Sequence, residues 1–557
     1  MRLSNKHLSM GIFVAAIAVT ILFPRIFQLD HFVTPDELLW VARSANFYSG
    51  LRNGNISATY QREHPGVTAM WAGSVAFLLR YPEYGQSCYE QVNWEGLQSQ
   101  LEKTAQIKPL DILATARRVV VLVITLILLL AFYLTQRLIG IFPAVLAFIL
   151  IAFDPFQIGL SRLFHLDALL ASLMFLSLLA FLSFVREYRA LYLVISAIAA
   201  GLACLTKSPG LILVPMIGFL TLAGVKNQDS NQSTVPAKYI WRSISVFAVW
   251  LSIMGAVSVI LWPALWQKPA LILATVLTNT RTYIVEGHPT SAFFNGNIYQ
   301  DGKITTINFY LWSYLWRTTP VTLLGLILSA WAIVTRRKPF DQPGSRFVAF
   351  GCLLFVLSFG MVMTIGAKKF DRYIMPVFLP LSLLSGIGWA ALFYSIRDKF
   401  SRTFTKYAIP ILILSIVGCQ IYAPIKTFPY YLTFYNPLAG GVRRAPQVML
   451  IGWGEGLDEA GRYLSQKPNS KKLRVLSWMP YGSLSYFFPG KVRPILSDAD
   501  FRQEDLVRLD SVDYVVIYVQ QWQLNIPKSL LEYLSNYVPE HIIWINGIEY
   551  ARIYALR

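Results

Sequence analysis

Charge is scarce in this chain of 557 residues. Only 14% are Asp, Glu, Lys or Arg, and acidic residues are the rarer sign, 30 against 49 basic ones. Soluble domains carry roughly a quarter of their residues charged, and with 55% hydrophobic residues and a mean hydropathy of +0.48 that class is excluded. Cysteine is rarer still: Cys88, Cys204, Cys352 and Cys419 are widely separated, and three of them lie in apolar runs. Neither a disulfide framework nor a zinc site is implied. There is no internal repeat and no low-complexity run. The Gly-rich piece Gly452-Trp453-Gly454-Glu455-Gly456 lacks the phosphate-loop lysine and the G-x-G-x-x-G spacing, and it reads as a turn before a helix. Most of the +19 net charge precedes residue 424, where membrane topology and anionic headgroups call for it, so nucleic acid is not an expected partner.

What is present is a succession of apolar runs. With roughly 20 residues to a span, about eleven are found: 8–27, 116–136, 139–154, 166–185, 190–206, 209–225, 241–262, 320–335, 347–366, 373–395 and 405–423. The first is read as a retained span, since Asp36-Glu37 follows it with no small-residue cleavage site between. Arg186 and Arg189, Lys226 to Arg242, Arg336 to Arg346 and Arg397 to Lys406 occupy alternate short loops, which places those loops in the cytoplasm. The segments 28–115, 155–165 and 263–319, with the turns at Lys207 and at Lys368–Tyr373, are then expected outside, in a plasma or inner membrane. The predicted architecture is a polytopic α-helical membrane part over 1–423 followed by an extracytoplasmic α/β domain over 424–557. Leu473–Trp478, Val512–Val519 and His541–Ile553 are β-rich there, and Leu457–Leu464 and Lys528–Tyr537 are helical in pattern.

Charges at the ends of apolar spans cost about 3 kcal/mol or more unless paired, hydrated or used. Asp36, Glu37, Asp167, Lys207, Lys368, Lys369, Asp371 and Arg372 all fall there, on the same predicted face. Asp36 is the best candidate for a general base, with burial expected to raise its pKa; Asp36 and Glu37 also suit the N-terminus of an interfacial helix. The segment Gly66–Arg80 reads as lying along the membrane surface. Lys207 has the alternative of snorkelling, Lys368 and Lys369 of meeting headgroups, and Asp371-Arg372 of a local ion pair. His165 with Asp36, Glu63 and Asp167 leaves a divalent cation open. The aromatic loop of Tyr283, His288, Phe293, Phe294, Asn295, Tyr299 and Tyr310 could cover the site or belong to an interfacial belt.

Taken in order, the Asp36-Glu37 pair, Glu63-His64-Pro65, Phe164-His165-Leu166-Asp167, Leu205-Thr206-Lys207 and Lys369-Phe370-Asp371-Arg372-Tyr373 with Pro376 resemble the GT-C superfamily of polyprenyl-phosphate-dependent glycosyltransferases. Within it the chain is similar to the protein O-mannosyltransferase-like and aminoarabinose-transferase-like enzymes, over nearly all of residues 1–423. The resemblance implies a GT-C-like fold and inverting transfer of a sugar from a lipid monophosphate to a protein, lipid or glycan acceptor outside the cytoplasm. It implies Asp36 as the base, Glu37 and Asp167 as its acidic companions, and Lys207, Arg372, Lys368, Lys369 and His64 for the donor phosphate. Glu63, His165 and Asp371 would orient the acceptor. His64 stands where aminoarabinose-type relatives carry lysine, which removes a fixed positive charge. Other classes remain: a glycan polymerase or oligosaccharide transferase with a diphosphate-linked donor, or a non-enzymatic transporter or export protein. A transporter should show broken helices near the midplane and a repeated architecture, and neither is seen in the sequence.

Overall fold

The computed structural model describes residues 2–61, 65–87, 91–103, 105–226, 236–287, 291–495, 509 and 511–557. Long helices dominate as far as Thr427, and a mixed sheet follows. At the centre lies Asp167–Glu187, apolar on every side and fully enclosed by protein. A helix with no polar face has no surface to offer water, so it takes the middle of the bundle. Pro109–Ile139, Ala190–Thr206 and Met375–Lys399 pack around it.

Each apolar run read from the sequence coincides with a helix, but the span count differs from about eleven. Six helices among the described residues are long and apolar enough to cross a membrane, or up to eight if two bent pairs are each one span. Hydropathy registers apolar runs without their bends or lengths. The run at 139–154 is one arm of Ile141–Ala152 and Pro155–Ser161, bent by 66°, and that at 320–335 is one arm of Phe309–Arg317 and Pro320–Val334, bent by 116°. Phe13–Ile26, Ala190–Thr206 and Ser208–Gly224 are shorter apolar helices. The segment 155–165, expected as a turn, opens with a helical arm that Asp154 caps by accepting from the Gln157 amide at 2.9 Å. Arg25, fully buried, donates to the carbonyls of Ile151 and Ala152 and to Ser161 Oγ. It thereby satisfies the open end of one arm and ties it to the other.

Among the described residues the longer helices of the first long loop are Pro35–Arg52, Val67–Arg80 and Trp94–Lys103. Val67–Arg80 packs on Pro35–Arg52 and Pro109–Ile139 and leaves Trp71, Val75, Leu78 and Leu79 exposed, the two-faced character read from its sequence. In the second long loop β1 (Ala292–Phe294) and β2 (Asn297–Tyr299) form a hairpin. The C-terminal sheet has β3 (Arg474–Ser477), β4 (Lys491–Pro494), β5 (Tyr514–Tyr518), β6 (His541–Ile545) and β7 (Ile548–Ala555), in the order β4-β3-β5-β7-β6. β3 is parallel to both β4 and β5, whereas β7 is antiparallel to β5 and β6. The stretch His541–Ile553, read as one β-rich run, is two strands turned by Asn546 and Gly547, both at positive φ; Asn-Gly is the dipeptide such a turn requires.

Candidate functional site

Glu37 organises the start of the Pro35–Arg52 helix. It is completely buried, and its carboxylate accepts from Arg117 Nε at 2.7 Å, from the Phe164 amide at 2.7 Å and from the Thr34 amide at 3.0 Å. Arg117 also donates to the carbonyls of Leu29, His31 and Phe32. One ion pair thus pins the chain before the helix to Pro109–Ile139 and to the segment leading into Asp167–Glu187. Successive helical residues point about 100° apart. With Glu37 turned into the core, Asp36 faces a cavity of about 380 Å³. The sequence reading grouped Glu37 with Asp36 as catalytic; Glu37 does not line this cavity, and its acceptor capacity is taken up by structural donors.

Around Asp36, side chains from distant segments converge. Arg372 Nη2 donates to Asp36 Oδ2 at 3.2 Å, and its Nε lies 3.6 Å from Asp167 Oδ2. His165 spans the same two carboxylates, with Nε2 3.6 Å from Asp36 Oδ2 and Nδ1 3.2 Å from Asp167 Oδ2. Lys207, in extended backbone between Ala190–Thr206 and the turn Ser208–Ile212, donates to Asp167 Oδ1 at 2.8 Å and sits 3.9 Å from the Tyr373 ring centre. It is buried, so it does not snorkel. Asp167 opens its helix, where the axial dipole favours a negative charge.

These neighbours reverse one expectation. Burial does work against ionised Asp36, but hydrogen bonding from His165 and the Arg372 charge outweigh it and hold the carboxyl well below the usual carboxylate range. The side chain is also 36% exposed, facing the cavity. For His165 burial opposes the protonated form, and Asp167 and Asp36 together raise its pKa above the ordinary value. With His165 protonated, the cluster Asp36, Asp167, Arg372, Lys207 and His165 has one net positive charge.

Asp371 lines the same cavity as Asp36 and accepts from Arg317 Nε at 2.7 Å. Arg317 ends the arm Phe309–Arg317 and lies against the rings of Tyr435 and Phe156. Lys369 lines the cavity and donates to the Thr306 carbonyl at 3.1 Å; loss of solvent lowers its pKa. Lys368 instead lines a second cavity, of about 340 Å³, with Asp167, Lys207 and Tyr373. Apart from Ser208 and Thr280 the rest of that cavity is apolar, walled by Leu170, Ile212, Ile284 and Val362 among others. The charged cluster therefore lies between an amphipathic cavity and an apolar one. Glu63 and His64 lie outside the described residues. Among the described residues no three His, Cys, Asp or Glu side chains are grouped to hold a metal ion, and the carboxylates of Asp36 and Asp167 are already met by cationic groups.

The turn at Gly452–Gly456 does precede a helix, Leu457–Ser465, and it also enters the site. The Trp453 ring lies 4.1 Å from the Arg372 guanidinium carbon and edge-on to His165, with ring centres 5.0 Å apart. Glu455 joins the cavity wall at 2% exposure, and burial raises its pKa. Phe293 and Phe294 of β1 form another wall, with β1 bridged to Met449; His288, from the same aromatic loop, is outside the described residues. Trp453, Glu455, Arg117 and Arg317 were missed from the sequence. Arg117 alone gave a signal, as a charge inside the apolar helix 109–139.

The sequence profile of the family described as dolichyl-phosphate-mannose-protein mannosyltransferase matches residues 112–253, so the resemblance to polyprenyl-phosphate-dependent glycosyltransferases is present in that part of the sequence. No curated protein matches the chain. Among solved structures, ArnT from Cupriavidus metallidurans bound to undecaprenyl phosphate is 13% identical, with 98% of each chain covered and a TM-score of 0.49. The oligosaccharyltransferase AglB from Archaeoglobus fulgidus, in complex with an inhibitory peptide and a dolichol-phosphate, is 13% identical. There 98% of this chain and 74% of that one are covered, with a TM-score of 0.44.

Proposed function

We propose that the protein is a GT-C-type membrane glycosyltransferase that moves a sugar from a polyprenyl monophosphate to an acceptor hydroxyl at the extracytoplasmic face. The observation that carries this reading is the charged cluster lying between two unlike cavities. The phosphate end of a polyprenyl chain would enter the mostly apolar cavity, and Lys207 and Lys368 there offer charge for its phosphate. The sugar then points towards Asp36, and the acceptor occupies the cavity beneath the C-terminal domain. The leaving group is a phosphate whose negative charge grows as the anomeric bond breaks, and Arg372 and Lys207 stabilise that charge.

Asp36 is ionised but weakly basic while Arg372 and His165 hold it. A bound phosphate competes for Arg372, and each interaction Arg372 gives up raises the basicity of Asp36. Donor binding thereby prepares the base, which takes the acceptor proton as the hydroxyl attacks the anomeric carbon from the side opposite the phosphate. The anomeric configuration inverts. Asp167 keeps Lys207, Arg372 and His165 in register. The carrier phosphate leaves through the apolar cavity.

The test is transfer from radiolabelled polyprenyl-monophosphate hexoses by the protein in nanodiscs, with a membrane extract as acceptor and with and without chelator. Asp36→Asn keeps size and removes the base, so transfer falls by about 10²–10⁴ with donor binding retained. Lys207→Ala weakens donor binding. Transfer that survives Asp36→Asn removes Asp36 from that role. No turnover of any monophosphate donor by the wild type turns the reading to diphosphate-linked donors.

A further inference from the structure

The C-terminal sheet presents the carboxyl ends of its parallel strands to the cavity. β3 runs on into Trp478 and Met479 and β5 into Val519 and Gln520; Trp478, Met479 and Gln520 line the cavity. β3 and β5 are parallel neighbours. The chain leaving β3 goes to β4 on one side of the pair, and the chain leaving β5 goes to β6 and β7 on the other. Where two such connections part, a crevice is left at the strand ends, and open α/β sheets bind ligands there. Here the crevice opens onto the cavity that holds Asp36 and Arg372.

The turn at Gly452–Gly456 lies over the crevice with little freedom. Gly452, Gly454 and Gly456 have φ of 87°, 112° and 84°, a region other residues avoid. The Tyr518 hydroxyl accepts from the Gly454 amide at 3.0 Å and donates to the Glu455 carbonyl at 3.2 Å, while Gln520 Nε2 donates to the Gly452 carbonyl at 2.5 Å. This scaffold holds Glu455 at the cavity wall, where the transfer chemistry does not use it.

We propose that the strand-end crevice is a subsite for a pyranose ring of the acceptor, with Glu455 accepting ring hydroxyls and the indoles of Trp453 and Trp478 lying against its C–H faces. A carboxyl group keeps acceptor lone pairs for hydroxyl donors whether or not it is ionised, and indoles offer flat amphipathic surfaces. Among the described residues the C-terminal domain brings no lysine or arginine to this cavity, so an anionic group is not what it selects. One way to hold a peptide is to pair it with a free strand edge. The strand bordering the cavity, β1, is already paired with β2 and bridged to Met449. The proposal rests on the preceding reading only for the direction in which the ring is presented, hydroxyl towards Asp36.

Binding separates the two. Full-length protein in nanodiscs is titrated by saturation-transfer NMR with methyl pyranosides of glucose, galactose and N-acetylglucosamine, and with an acetylated Ser/Thr peptide. Polyprenyl phosphate binding serves as the control for an intact membrane part. At least one pyranoside is expected to bind the wild type, and Glu455→Ala and Trp478→Ala to weaken it five-fold or more with polyprenyl phosphate binding unchanged. Trp478→Phe keeps a ring, should retain most of the binding, and replaces Trp478→Ala if that variant does not fold. Pyranosides that do not bind, a peptide that binds in their place, variants that bind as the wild type does, or variants that lose both ligands would each overturn the proposal. Pyranoside binding without sugar transfer would leave it standing and refute only the transferase reading.

Discussion

Asp36 and Glu37 are adjacent and chemically alike, yet one is enclosed by structural donors and the other looks into a cavity. Their titration should differ accordingly. Asp36 is held below the carboxylate range, so it stays ionised down to below about pH 4, and the acid limb of kcat/KM above that pH should not belong to it. Arg372→Gln removes a cause of the depression. The acid limb attributable to Asp36 should then move up, and transfer should fall by about 10²–10³ through loss of charge opposite the leaving phosphate; a pH–rate profile of the variant checks both. For His165 the folded pKa is raised. Its stabilising contribution is fully present below an unfolded value of about 6.5 and is lost as pH rises through the folded value. The loss in Tm caused by His165→Asn should therefore be largest near pH 5.5 and shrink towards pH 9, as thermal unfolding in detergent would read.

At the scale of elements, the Glu37–Arg117 pair joins Pro35–Arg52 to Pro109–Ile139. Removing one partner strands a buried charge, and Glu37→Ala should destabilise the protein by about 3–5 kcal/mol. The double variant Glu37→Gln with Arg117→Met should lose less than the two single changes added together, a comparison made by denaturant unfolding. Gly454 joins the C-terminal domain to the segment before Asp36: a Cβ there would approach the Val33 carbonyl oxygen to 2.4 Å, at a φ of 112°. Gly454→Ala should lower transfer while leaving polyprenyl phosphate binding near the wild-type level, because among the described residues the second cavity has none from the C-terminal domain. The helices were legible because each is a long apolar run, and Asp36, Asp167, Lys207 and Arg372 because a charge at the end of such a run demands a reason. The surroundings of Glu37 are not legible in the sequence because its partner, Arg117, is distant, and nothing local distinguishes an acid that faces a cavity from one that faces a guanidinium. The direction of the Asp36 shift was unreadable for the same cause: burial alone raises it, and only the arrangement brings Arg372 and His165 close enough to win.

Across the whole molecule, the site exists only where separate segments meet. Asp36 comes from the first loop, Asp167 from the central helix, Lys207 from the extended backbone after Ala190–Thr206, Arg372 from the turn before Met375–Lys399, and Trp453 from the C-terminal domain. Sequence could mark the members and not their meeting, which is why Trp453 and Glu455 read as parts of a plain turn. Docking is carried by contacts such as that of Ser483 Oγ, which donates to the Val33 carbonyl at 2.5 Å. Under mild denaturation the amides of 451–456 should lose protection from hydrogen exchange in step with activity, ahead of those in the enclosed helix Asp167–Glu187; activity that outlasts this protection would show that Trp453 is dispensable. The sharing of Arg372 between two carboxylates also bears on descent. A pair such as Glu37–Arg117 can be exchanged by two matched substitutions, whereas a change at 372 must be answered at both 36 and 167. Among relatives, positions 36, 167 and 372 should therefore be inherited as a block, and 37 with 117 should drift as an independent couple.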